Sequence, residues 1–238
     1  MVETLKADGK KAKREPHQYH LTKGSQRYQR FSHWLLRRFK KLPSDQSYNI
    51  SISHQKKLIW YRVAKVSSRT IFDVLKRASV VLDAEHPMWC HYPANDYNGY
   101  FRFAFVRNPW DRLVSCWLNK VVKANYYQFS EEKLIAMQDF KNFVGYVAQI
   151  DVKTCDDAHI RLQASMIDLN HVDFVGRFER FEVDFRKVLD ILGIDEIEIS
   201  KKNASKNRKS YHTYYDEKTK EKVAEIYKKD IQIFNYQF

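Results

Sequence analysis

Leu58-Ile-Trp-Tyr-Arg-Val-Ala-Lys-Val-Ser-Ser-Arg-Thr70 and Phe103-Ala-Phe-Val-Arg-Asn-Pro-Trp-Asp-Arg-Leu-Val-Ser115 share one design. In each, an apolar run of strand character passes through a short turn into basic and hydroxyl residues that open a helix. A helix start presents unpaired backbone N–H groups and a partial positive charge, and a Lys, Arg or Ser there adds charge-assisted hydrogen bonds to an anion. Two such stretches predict two anion grips, and hence a ligand with two anionic ends.

From about Lys56 onward, short apolar strands alternate with amphipathic helices. This predicts an α/β fold with a central, mainly parallel sheet flanked by helices. Strands are expected over residues 58–63, 80–82, 101–106 and 172–178. Helices are expected over 68–77, from Pro109 at N1, over 139–150 and 157–169 with Asp139 and Asp157 at their starts, over 182–192 with Gly193 at C′, and from about Asp216.

With 238 residues and 44% hydrophobic content, the chain predicts one sizeable core. The formal charge of +13 is unevenly placed: residues 1–41 hold 12 Lys/Arg against 3 Asp/Glu, and the rest holds 30 against 26. We therefore read residues 1–41 as a basic N-terminal arm and 42–238 as the folded domain. Within the arm, Phe31, Trp34, Leu35, Phe39 and Leu42 follow helical spacing, with Arg37, Arg38, Lys40 and Lys41 mostly off that stripe. Such a helix either docks on the core or forms a flap attracting an acidic substrate or an anionic membrane surface. No run of about 18 apolar residues predicts a membrane span. The absence of a signal-like start and the odd, widely spaced Cys90, Cys116 and Cys155 lead us to expect a cytoplasmic protein. Cys155 and His159 lack the further ligands of a zinc site, so no metal is expected.

The first grip contains no glycine, whereas a P-loop requires G-x-x-x-x-G-K-[ST]; this argues against a kinase or NTPase. Lys65 supplies a point charge, and Ser67, Ser68 and Thr70 supply hydroxyls. In the second grip Arg107 ends a buried strand and Ser115 follows eight residues later, so both can reach one phosphate. The alternative is that Arg107 pairs with Asp111.

These residues resemble the carbohydrate sulfotransferases related to heparan sulfate 2-O-sulfotransferase and the chondroitin 4-O and HNK-1 enzymes. Arg62-Val-Ala-Lys-Val-Ser-Ser-Arg-Thr70 is similar to their 5′-phosphosulfate loop, R-x-P-K-x-x-S-T, with Ala64 in place of Pro and Arg69 in place of Thr or Ser. Phe105-Val-Arg-Asn-Pro-Trp-Asp-Arg-Leu-Val-Ser115 closely matches their 3′-phosphate motif, F-V-R-[DN]-P-x-x-R-L-V-S. Asp157 to Gln163, Asp173 to Glu179 and Tyr227 to Phe238 also resemble family segments. No lumenal stem or membrane anchor is recognised before the domain, so the relatives' compartment is not carried over.

The resemblance implies a P-loop-like sulfotransferase fold. It also implies transfer of a sulfuryl group from 3′-phosphoadenosine 5′-phosphosulfate (PAPS) to an acceptor hydroxyl. Lys65 and Arg62 would contact the phosphosulfate, with Val66, Ser67, Ser68, Arg69 and Thr70 around it, while Arg107 and Ser115 hold the 3′-phosphate. The basic loop carrying Lys206 and Arg208 would fold over the nucleotide, or else be a plain solvated loop. Attack by an alcohol requires a general base. His86, between the two motifs, is the first candidate, His91 the second and His159 the third, with Arg161 and Gln163 on the same wall. A carbohydrate acceptor is expected, a small natural-product alcohol or amine being the alternative. A non-enzymatic protein binding nucleic acid through its basic arm is the rival from another class.

Overall fold

Leu58–Tyr61 is buried on both faces, as the interior strand of a largely parallel sheet must be. The computed structural model describes residues 31, 34, 35, 38, 39, 44, 46–195, 197–199 and 209–238. Contacts divide the chain into two units, Met1–Leu42 and Pro43–Phe238. In the first, Phe31, Trp34, Leu35 and Arg38 are helical and the Phe31 and Trp34 rings stack at 5.9 Å. Arg37, Lys40, Lys41 and Leu42, on which the predicted basic face also depends, lie outside the described residues.

The second unit is built on a mixed four-stranded sheet in the order β1 (Ile50–Ser53), β2 (Leu58–Tyr61), β3 (Phe101–Val106), β4 (Phe174–Arg177). The strands β2, β3 and β4 run parallel, and β1 is antiparallel to β2. Seven α-helices are described around it: α1 (Ser68–Arg77), α2 (Pro109–Trp117), α3 (Glu131–Met137), α4 (Phe140–Val147), α5 (Phe181–Ile191), α6 (Glu217–Ile226) and α7 (Lys228–Phe234). The expected mainly parallel α/β architecture is what the structure shows.

Local chemistry accounts for most boundaries. Asn108 caps α2 by accepting from the Trp110 N–H, with Pro109 at N1. Asp139 caps α4 through the Lys141 N–H, and Asp216 forms a capping box with Thr219 on α6. Gly193, at φ 59°, ends α5 in a Schellman turn in which its N–H reaches Asp190 O and the Ile194 N–H reaches Leu189 O.

Two predicted elements are absent. Residues 80–82 form no strand, because the Val80 N–H closes the same kind of turn on Leu75 O at the end of α1 and the Val81 N–H goes to the Gln55 side chain. Residues 157–169 form turns and a single 3-10 turn, Gln163–Ser165, instead of a helix. Asp157 caps the first turn through the His159 N–H, but the N–H groups that continuing the helix needs are taken by the buried Asp230, which accepts from Gln163 N and Ala164 N. Strand β1 escaped prediction because its alternate residues are serines, yet Ser51 and Ser53 are fully buried, with the Ser51 hydroxyl donating to Glu85 O.

The sheet is held in register by aromatic layers. Trp60 on β2 lies opposite Phe103 on β3, their rings stacked at 6.0 Å, and Phe105 lies opposite Gly176 on β4. A Cβ at Gly176 would run into the Phe105 ring, which packs in turn on Phe181 and Phe185. Substituting Gly176→Ala is therefore expected to destabilise the domain by about 1–3 kcal/mol, the usual cost of overpacking a core. Urea unfolding checks this, a midpoint equal to wild type being the contrary result.

Candidate active site at the carboxyl ends of the parallel strands

The turns after β2 and β3 leave the same end of neighbouring parallel strands and enter α1 and α2, the place where open α/β sheets bind ligands. In the turn after β2, Lys65 and Ser67 both adopt left-handed backbone conformations, φ 72° and 67°. A P-loop uses glycine for such bends; here non-glycine residues are held in them by their surroundings. The Val66 side chain is buried, the Ser68 hydroxyl donates to Val63 O at 3.0 Å, and the buried Thr70 donates its N–H to Ser67 O. Arg112, only 1% exposed, donates from Nε to Ala64 O (3.2 Å) and from Nη2 to Ala158 O (2.7 Å), tying this turn to the segment that carries His159.

Lys65 is half-buried in a field of like charge. Burial pushes its ammonium down to about 8, with Arg107, Lys120 and Arg69 adding repulsion that the nearby Cys116 thiol opposes. Lys120 reaches this field from a π-helical turn, Leu118–Val122, at the end of α2, its Nζ 3.9 Å from the centre of the Tyr126 ring. On the same ring, edge to face at 5.1 Å, packs His159.

His159 Nδ1 lies 2.6 Å from Asp157 Oδ1, which also accepts the His159 backbone N–H. Burial pushes the imidazole below its ordinary value; Asp157 works against this, and Lys120 and Lys65 reinforce it. The neutral tautomer that donates Nδ1–H to the carboxylate leaves its lone pair on Nε2, the arrangement of an oriented base.

Arg107 is 4% exposed, with Nε and Nη2 on Asp111 Oδ2 at 2.8 and 2.7 Å and its guanidinium 3.8 Å from the Phe178 ring centre. The Asp111 pairing considered from the sequence is thus present, while Nη1 donates to Lys65 O and so links the two grips. Gln163 clasps the Arg107 backbone from both sides, accepting its N–H and donating to its carbonyl, each at 2.9 Å. Ser115 is half-buried on α2, two turns beyond Arg107.

Other predicted residues make their contacts outside this cluster. Arg62 spends its nitrogens on Ile50 O, His86 Nδ1 and Pro87 O, bracing the sheet edge. His86, with a side chain 60% exposed, packs on Phe72 and pairs with Glu85. His91 bonds to Ser44, and Arg161 stacks on Trp89. Among the histidines considered, His159 lies where the charge of Lys65 bears on it. Lys206 and Arg208 lie outside the described residues. Sequence reasoning missed Lys120, for which no local signal exists, and Arg112, whose place in the second motif was visible but not its span of two loops. Among the described residues no His/Cys/Asp/Glu group is arranged to hold a metal, and no helix is long and apolar enough to cross a membrane.

The sequence model of the Sulfotransferase family matches residues 48–237. A curated relative, carbohydrate sulfotransferase 14 of Danio rerio, is 26% identical over 158 residues, covering 56% of this chain and 42% of the relative. The chain therefore matches less than half the length of that relative. No solved structure matches it significantly.

Because Arg112 satisfies carbonyls in both loops, Arg112→Met is expected to cost about 2–4 kcal/mol by leaving buried acceptors unpaired. Denaturant unfolding measures this, and a change below about 0.5 kcal/mol, the scale of an ordinary surface substitution, would contradict it.

Proposed function

The chain belongs to the Sulfotransferase family, and from that premise we propose that it moves a sulfuryl group from PAPS to a carbohydrate hydroxyl, with Lys65 and His159 as its central residues. The observation that carries this reading is the juxtaposition of the Lys65, Arg69 and Lys120 charges with the Asp157–His159 pair at the carboxyl ends of β2 and β3. A concentration of cations around a helix start fits an anionic donor, and an oriented neutral imidazole beside it fits proton removal from an alcohol.

The residues divide the chemistry as follows. Lys65 and the start of α1, with Ser67 and Ser68, take the phosphosulfate end. Arg107, oriented by Asp111, takes the 3′-phosphate together with Ser115. As the S–O bond breaks, negative charge grows on the leaving phosphate oxygen, and a cation there stabilises the transition state more than the ground state. Meanwhile His159 Nε2 accepts the proton of the attacking hydroxyl, and Asp157 stabilises the imidazolium that forms. His159 replaces His86 as the favoured base, because His86 lies exposed beside Glu85. The carbohydrate acceptor is supported by the likeness to the Danio rerio protein named carbohydrate sulfotransferase 14.

Transfer from labelled PAPS to a panel of glycans tests this reading. His159→Ala is expected to lower kcat by about 10²–10⁴-fold, the usual contribution of a general base, whereas His86→Ala stays within a few-fold. The reverse ranking would overturn the assignment, and no transfer to any glycan would remove the carbohydrate acceptor.

A pH series on product binding gives an independent check. The lowered Lys65 value means that its charge is present below about 8 and lost above it. Affinity for adenosine 3′,5′-bisphosphate should therefore fall as pH rises through about 8, and Lys65→Met should flatten that fall. An unchanged slope in the variant would show that Lys65 does not face the nucleotide.

A further inference from the structure

Lys120 is half-buried at the end of α2, although a lysine is among the least often buried residues. Among the described residues no carboxylate lies within ion-pair distance of it. The turn that carries it is irregular: the Lys123 N–H reaches back five residues to Leu118 O at 3.1 Å, a π-type bond of the kind concentrated at functional sites. The extra residue in this turn brings Lys120 to Tyr126, which grips it twice. The Tyr126 N–H donates to Lys120 O at 3.0 Å, and the Tyr126 ring lies 3.9 Å from Lys120 Nζ.

His159 packs on that same ring at 5.1 Å and 74°. One aromatic platform therefore fixes both a cation and the proposed base. We infer that Lys120 is a second cation of the sulfuryl site, hydrogen-bonding the non-bridging oxygens of the transferred group while the shared Tyr126 ring keeps it beside His159. The inference rests on the donor reading above and adds to it a residue that neither phosphate motif contains. Lys65 serves the leaving phosphate oxygen, whereas a cation tethered to the base serves the sulfuryl group itself. The cation–π contact confines Nζ without neutralising it, so the charge remains available to an anion. The Asp157 carboxylate is engaged by His159 and favours the charged form of Lys120 without pairing with it.

The test compares two nucleotides that differ by the sulfuryl group alone. Calorimetric affinities for PAPS and for adenosine 3′,5′-bisphosphate are measured on the full chain for wild type, Lys120→Met and Lys120→Arg, with near-ultraviolet circular dichroism confirming the fold. Lys120→Met should keep the bisphosphate affinity within about twofold and weaken PAPS about tenfold, the loss of one charge-assisted hydrogen bond. Lys120→Arg should recover most of that loss. An unchanged ratio of the two affinities in Lys120→Met, or an equal loss of both, would overturn the inference while leaving the donor reading intact. A wild-type protein that binds neither nucleotide would instead overturn the donor reading, and this inference with it.

Discussion

The guanidinium of Arg112 holds the site together. It sits in the interior, donates to one carbonyl in the turn after β2 and another just before His159, and is itself carried on the helix that follows β3. Three segments far apart in the chain thus share one planar group of fixed geometry, which a flexible ammonium could not replace. The aromatic layers beneath, Trp60 on Phe103 and Phe105 across from Gly176, set β2, β3 and β4 side by side so that those segments meet.

Around that anchor the protein gathers like charge. Lys65, Arg69 and Lys120 repel one another, and burial works further against the charge on Lys65 and Lys120. Arg107 adds to the repulsion on Lys65 but is itself matched by Asp111. A bound dianion relieves both effects, so the same placement favours an anionic ligand. The hydrogen bond from Arg107 Nη1 to Lys65 O couples the two grips mechanically as well as electrostatically.

How much of this was legible in the sequence depends on whether the deciding interaction is local. Helix α1, strand β3 and the start of α2 are written in nearby residues: an apolar run, a proline at N1, an amphipathic stripe. The turns over 157–169 are not, because the carboxylate that redirects the backbone is Asp230, more than sixty residues away. The same holds for the choice among the histidines. Spacing favoured His86, between the two motifs, over His159, and what sets His159 apart is the Tyr126 ring and the charges of Lys65 and Lys120, which only the fold brings to it. Lys120 is a plain surface-type residue in the sequence, and its placement depends on an irregular turn with no evident sequence signal.

The paired turns are proposed to recognise a nucleotide bearing both a 5′- and a 3′-phosphate. Calorimetric titration of adenosine 3′,5′-bisphosphate and of AMP into wild type and Arg107→Ala tests it most directly. A marked preference for the bisphosphate that disappears in Arg107→Ala, with AMP binding little changed, is the predicted result. Equal affinity for the two nucleotides, or a preference that survives the substitution, would contradict it.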